Sequence, residues 1–220
     1  MSTPLYVVDQ GSPAFEANRT AVDVVCAGDS LTGWNNFGPA NSWPYRTYPD
    51  FLQELCEPLG SRIANGGIAG EISDNGPKQV ADYLALFPNA RYFIIGMGTN
   101  DLGTWPDLET TSKKIIANLG KMVHAIADQG KRPIIFNVPN ANEGMCPPRV
   151  VKELRGKRDY HNGKLNEFCG QHGVPLADIC SRLHDEHFGD GLHPNDVGAK
   201  IIAEAVFEVL SAFQDGGRSR

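Results

Sequence analysis

Short apolar runs alternate along this chain with longer stretches in which apolar residues recur every three or four positions. The runs are Val22 to Ala27, Arg62 to Asn65, Arg91 to Met97, Arg132 to Val138 and Val174 to Ala177, and their length and bounding residues predict five strands. Between them, Leu52, Leu55, Cys56 and Leu59, then Val80, Tyr83, Leu84 and Phe87, then Ile115, Leu119, Met122, Val123 and Ile126 keep i, i+3, i+4 spacing. Each set predicts a helix with one buried stripe. From Pro147 to Cys169 the pattern weakens, because basic residues dominate and only Val150, Val151, Leu154, Leu165 and Phe168 outline a face. The last helix is clear: Asn195 can cap it, Ile202, Ala205, Val206, Val209 and Phe213 line one side, and Gly216 and Gly217 stop it.

Strands joined by connections this long cannot pair as hairpins. They require crossovers, which are right-handed, and so predict a parallel sheet with helices on both faces. The expectation is one doubly wound α/β/α domain with a five-stranded parallel sheet, spanning residues 21–215. Residues 1–20 are expected to form an N-terminal arm or an extra edge element. No internal repeat, low-complexity tract or linker calls for a second domain.

Composition narrows the function classes. A chain of 220 residues with 41% hydrophobic and 21% charged positions can bury a core without a metal or disulfide staple. A formal charge of −6 argues against a nucleic-acid partner, since affinity for phosphate backbones comes from Lys and Arg. The dense basic stretch of Arg149, Lys152, Arg155, Lys157 and Arg158 is expected to be the solvated face of a helix. No run of about 18 apolar residues predicts a membrane span. The first residues lack the basic and apolar segments of a secretory signal. The five cysteines are odd in number, scattered and without a CxxC pair. Reduced thiols and a cytoplasmic location are the resulting expectation.

In open parallel sheets the carboxyl ends of the strands converge on a crevice, which directs attention to polar residues just after strands. Four segments qualify: Gly28-Asp29-Ser30-Leu31, Asn65-Gly66-Gly67, Gly98-Thr99-Asn100-Asp101 and, before the last helix, Asp190-Gly191-Leu192-His193-Pro194. Acyl transfer to water needs an activated hydroxyl, a base, a group that orients the base, and donors for a developing oxyanion. Ser30 offers the hydroxyl and His193 the base. Asp190, three residues earlier in a glycine-containing turn, can reach the far imidazole nitrogen. Gly67 offers a backbone N–H with no Cβ in the way, and Asn100 an uncharged amide donor.

With these blocks in order, the sequence resembles the SGNH or GDSL hydrolases, a family of lipases, esterases and acyl hydrolases. Gly28-Asp29-Ser30-Leu31 reads as the GDSL block, Asn65-Gly66-Gly67 resembles Asn-x-Gly, Gly98 to Asp101 resembles GxND, and Asp190 to Pro194 resembles DxxHP. The resemblance implies a flavodoxin-like three-layer fold and a triad of Ser30, His193 and Asp190. It also implies an oxyanion hole made by the Ser30 N–H, Gly67 and Asn100. The substrate it implies is a small-molecule ester, with no cofactor. The nucleophile does not stand in GxSxG, so the strained elbow of α/β-hydrolases is not expected.

Aromatic residues cluster near the expected nucleophile: Trp34, Phe37, Trp43, Tyr45 and Tyr48 follow Ser30, and Trp105 follows Asn100. Trp34 and Trp105 are the candidates for a substrate wall, and a compact cleft for short acyl chains is the expected pocket. His184, Asp185, Glu186 and His187 invite a metal reading, but HExxH spacing is missing, and an exposed polar turn before the Asp190 block is expected instead. An O-acyltransferase would use the same triad. A noncatalytic flavodoxin-like binding module would explain the sheet but give Ser30, Asn100 and His193 no reason to converge.

Overall fold

Six strands, β1 (Leu5–Tyr6), β2 (Val22–Gly28), β3 (Arg62–Gly67), β4 (Tyr92–Gly96), β5 (Arg132–Phe136) and β6 (Leu176–Ala177), pair in parallel in the order β1-β3-β2-β4-β5-β6. The computed structural model describes residues 3–33, 43–104, 107–145 and 148–215. The expected five-stranded sheet is therefore one strand short. The extra strand is β1 at the edge, where Leu5 and Tyr6 lie beside Ala64 and Asn65. Two residues are too few to display an alternation, which is why the hydrophobic pattern does not reveal it.

The helices are α1 (Pro13–Asn18), α2 (Ser30–Gly33), α3 (Tyr48–Cys56), α4 (Gly76–Leu86), α5 (Thr99–Thr104), α6 (Leu108–Asp128), α7 (Pro148–His172) and α8 (Asp196–Asp215). Their ends follow from local chemistry. Ser12 Oγ accepts the Phe15 N–H at 3.2 Å to cap α1. Asp50 Oδ2 accepts both the backbone N–H (2.9 Å) and the hydroxyl (3.0 Å) of Thr47 at the start of α3. Asn195 Oδ1 accepts from Val197 N and Gly198 N at the start of α8.

Alternation along the central strands divides the core in two. Val25, Ala27, Phe93, Ile95 and Ile135 face one layer, where they meet Phe15 of α1, Val80 of α4 and Phe87 just after it, Leu119 and Met122 of α6, and Leu165 of α7. Val24, Cys26, Ile94, Ile134 and Phe136 face the other, against Tyr48 and Leu52 of α3 and Ile202, Val206 and Leu210 of α8. Strands hidden on both faces explain why they read as continuous apolar runs.

The basic stretch departs from expectation. Lys152 and Arg155 are exposed, but the side chains of Lys157 and Arg158 are each only 12% exposed. Lys157 Nζ donates to the Leu102 carbonyl at 3.3 Å, so the basic run anchors α7 against α5 as well as facing water. Arg149 lies outside the described side chains. Among the described residues no helix is long and apolar enough to cross a membrane. Cys26, Cys56, Cys169 and Cys180 are free thiols.

From β2 the chain moves to β3 on one side and then crosses to β4 on the other. The carboxyl end of β2 is thus the topological switch point of the sheet, where the crossovers part and leave a crevice.

Candidate active site

The first turn after β2 is drawn down onto the sheet by its backbone. The Asp29 N–H donates to the Gly96 carbonyl at 3.2 Å, and the Asp29 carbonyl accepts from Thr32 N and Gly33 N, both at 3.1 Å. The Asp29 carboxylate accepts the Leu31 N–H at 3.0 Å. These bonds form α2, with Ser30 as its first residue and 5% exposed. Ser30 Oγ lies 3.0 Å from His193 Nε2. On the far side of the ring, His193 Nδ1 lies 2.9 Å from Asp190 Oδ2. The structure therefore joins Ser30, His193 and Asp190 in one hydrogen-bonded line from opposite ends of the chain.

The loop carrying His193 is rigid for stated reasons. Asp190 Oδ1 accepts from Leu192 N at 2.7 Å and His193 N at 2.6 Å, a local Asx arrangement. Phe188 and Pro194 bridge across its base, and the Asn195 amide donates to the Glu186 carbonyl at 2.8 Å. Burial works to raise the Asp190 pKa, but the two backbone donors and the imidazole outweigh it and hold the carboxyl below its ordinary value. Asp190 is therefore ionised at neutral pH, as a group that orients an imidazole must be.

Trp43 packs edge-on to the His193 ring, with centroids 5.6 Å apart, and Tyr45 packs edge-on to Trp43 at 5.3 Å. Trp43 stood among the aromatics noted after Ser30, and its contact with the imidazole was not legible from position alone. Tyr48 is fully buried against Phe136 and belongs to the core. Trp34 and Trp105, the substrate-wall candidates, lie outside the described residues.

Asn100 stands second in α5, beside the crevice, and one N–H of its amide goes to the Glu71 carbonyl at 2.8 Å. This ties the loop after β4 to the loop after β3. Gly67 is placed differently from expectation. It is the last residue of β3, buried, and its N–H donates to Asn65 Oδ1 at 3.1 Å. Its missing side chain serves packing: a Cβ there would sit 2.2 Å from Gly33 N and 2.7 Å from Thr32 C, in the backbone of α2. Three residues further, the Glu71 N–H closes a turn on the Ile68 carbonyl at 3.1 Å. Gly70 holds the third position of that turn with φ +78°, a conformation that favours glycine. Gly70 is exposed, and its N–H has no partner among the described residues.

His184 and His187 do not form a metal centre with their neighbours: among the described residues no three His, Cys, Asp or Glu side chains converge. His187 Nδ1 instead accepts the His184 N–H at 3.0 Å, inside the turn that leads to Asp190.

One buried acid, directly before Ser30 in the chain, is strongly perturbed by its surroundings. Burial pushes the Asp29 carboxyl up to about 7; the Leu31 N–H opposes this and the Asp101 carboxylate adds to it. The folded chain then holds a proton that the unfolded chain releases near 3.8, so this contribution to stability is complete below that pH. It is lost as pH rises through 7, roughly 4 kcal/mol in all. Asp29→Asn, which imitates the protonated acid, is expected to gain about 3 kcal/mol relative to wild type between pH 5 and pH 8. Urea unfolding at the two pH values measures this, and a pH-independent difference would show that the carboxyl titrates normally.

The topology, with a serine, an imidazole and a carboxylate aligned at its switch point, places the protein among three-layer α/β/α hydrolases. More narrowly, the chain belongs to the GDSL-like lipase/acylhydrolase family, whose model matches residues 26–201, and it is a carboxylic ester hydrolase. No curated protein matches the sequence. Among solved structures it is similar to Est24, a carbohydrate acetylesterase from Sinorhizobium meliloti, at TM-score 0.71 and 18% identity over 87% of this chain and 99% of that one. It is also similar to a catalytic mutant of Axe2, an acetylxylan esterase from Geobacillus stearothermophilus (0.67, 17%, 87% and 94%). A GDSL-like lipase from Bacteroides thetaiotaomicron VPI-5482 follows at 0.66 and 18%, over 89% and 90%. At these identities the likeness is one of fold.

Proposed function

We propose that the protein hydrolyses esters of short acyl chains through an acyl-enzyme on Ser30. The hydrogen-bonded line Ser30–His193–Asp190 carries this reading. His193 Nε2 takes the Ser30 proton as Oγ adds to the ester carbonyl, and returns it to the departing alcohol as the tetrahedral intermediate collapses. Water then repeats the cycle on the acyl group, with His193 again as base. Asp190 holds the ring by Nδ1 and stabilises its charged form.

The oxyanion donors in this reading are the Ser30 N–H, the second N–H of the Asn100 amide and a backbone glycine. We assign that last role to Gly70 in place of Gly67, because the Gly67 N–H is engaged by Asn65 and that of Gly70 has no partner among the described residues. A cavity of about 200 Å³ adjoins Asn100 and Leu192, walled by Leu102, Val138 and Leu154 with Arg158 at its edge. Its apolar wall beside Asn100 is the space that this reading gives to a short acyl group. Fold relatives that remove acetyl groups from carbohydrates suit the same size of acyl group.

The test is a series of p-nitrophenyl esters from acetyl to dodecanoyl, with Ser30→Ala as the blank. kcat/KM is expected to peak between acetyl and butyryl and to fall at least tenfold by octanoyl. A maximum at dodecanoyl would refute the short-chain reading while leaving the serine mechanism standing.

A further inference from the structure

Behind Asn100 lies a buried carboxylate that the mechanism above does not use. Asp101 is fully buried, and both of its oxygens are turned to one residue of a different loop, Ser73. The Ser73 N–H is shared between Oδ2 at 3.0 Å and Oδ1 at 3.2 Å, and the Ser73 hydroxyl donates to Oδ1 at 2.6 Å. Ser73 is itself fully buried, and its Oγ accepts from Asn118 Nδ2 of α6 at 3.3 Å. Asn118 also donates to Asp74 Oδ1 at 2.9 Å, and Lys114 pairs with Asp74.

Taking a carboxylate out of water is costly unless donors replace its hydration, and here those donors come from a single serine. The placement explains the choice. Asn100 and Asp101 are consecutive, and so nearly are their targets: the Asn100 amide grips the Glu71 carbonyl, and Asp101 grips Ser73 two residues on. Together they close a small ring between the start of α5 and the loop after β3, with α6 bracing its outer side. The Gly70 N–H is adjacent to Glu71, whose carbonyl holds one N–H of the Asn100 amide, so the two donors meet at one end of that ring, and the Ser73–Asp101 contact closes the other.

We propose that Asp101 and Ser73 are positioning residues that fix the separation of the two oxyanion donors, Gly70 and Asn100. The proposal rests on the assignment of those two donors made above. A donor contributes fully only when it sits within hydrogen-bond reach of the oxyanion, a displacement of a few tenths of an ångström being enough to weaken it. Neither Asp101 nor Ser73 touches substrate, and each acts through the loop it holds.

The experiment is a double-mutant cycle between Ser73→Ala and Asn100→Ala, read with p-nitrophenyl acetate and with a trifluoromethyl ketone that adds to a serine hydroxyl. Ser73→Ala is expected to lower kcat by about 10–30-fold with KM changed less than twofold, and to weaken ketone inhibition by the same factor. Ser73→Thr, which keeps the hydroxyl, should restore turnover to within threefold of wild type. In the Asn100→Ala background the Ser73→Ala loss should shrink to less than threefold, since one of the positioned donors is already gone. If Asn100→Ala lowers turnover but Ser73→Ala does not, the clamp is refuted and the oxyanion assignment survives. If Asn100→Ala leaves turnover unchanged, the oxyanion assignment fails first. A Ser73→Ala variant that loses turnover in the same proportion with and without Asn100, alongside a lower melting temperature, would identify Ser73 as plain scaffolding and overturn the proposal.

Discussion

Replacing Ser30 by alanine is expected to reduce ester hydrolysis by about 10⁶ in kcat, the largest single effect in the molecule. The reason is chemical: with Oγ gone, no group on α2 can form the acyl-enzyme, and His193 is left facing a methyl group. The donors and the pocket remain, so binding of substrate should change little and KM should stay within a few-fold. The variant should also fold, because Ser30 holds no structural bond besides the one to His193 among those described. Two measurements check this. Turnover of p-nitrophenyl acetate gives the loss, and a fluorophosphonate probe, which labels an activated serine stoichiometrically, should mark the wild type and leave the variant unmarked. Activity that persisted in pure Ser30→Ala would move the nucleophile elsewhere.

The second large effect is expected at Asp190. Asp190→Asn should lower kcat by about 10⁴, two orders less than loss of the nucleophile. In the proposed mechanism the carboxylate, 2.9 Å from Nδ1, accepts a hydrogen bond from the Nδ1–H and leaves Nε2 bare toward Ser30 Oγ. An amide at this position can offer its own N–H to Nδ1, which puts the ring proton on Nε2 and removes the base. Because backbone donors hold the Asp190 carboxyl below its ordinary value, the wild-type triad should lose activity through Asp190 only at a pH below that at which an ordinary carboxylate protonates. The Asn variant should regain part of its activity as pH rises, where hydroxide assists the serine. A variant that stayed within tenfold of wild type at pH 7 would show that the imidazole is oriented by something other than this carboxylate.

Much of the fold was legible because burial on both faces leaves an unmistakable trace in the central strands. Val24 to Ala27 and Phe93 to Ile95 read as continuous apolar runs, and their order with the intervening helices dictates a parallel doubly wound sheet. The edge was legible only as one alternative for residues 1–20, an arm or an extra edge element, since Leu5 and Tyr6 gain their strand character from pairing with β3 and carry no period of their own. The burial of Lys157 and Arg158 was hidden for a related reason: long stems can bury beside apolar neighbours while the sequence shows only the charge.

Ser30, Asp190 and His193 were legible because each stands next to a structural stop, where a polar residue has little to do for the core. Their hydrogen-bonded alignment is a geometric fact, and their catalytic roles are what the two substitutions above would measure. Gly67 lies within the strand for a physical reason. A pair of glycines after an apolar run resembles a turn, but β3 continues through Gly67 because α2 presses on it from above, and glycine there answers to crowding. The turn comes three residues later, at Gly70, where the signal is a positive φ that sequence alone does not display.

The bond between Ser30 and His193 spans 163 residues of chain. A polypeptide emerging from the ribosome acquires Ser30 first, Asn100 later and His193 only after β6 has been made. Until α8 packs on α3 and brings the preceding loop over α2, the growing chain holds a hydroxyl of ordinary, weak reactivity. On the proposed roles, the distance acts as a timer: hydrolysis begins only once α8 and the loop before it have packed over α2.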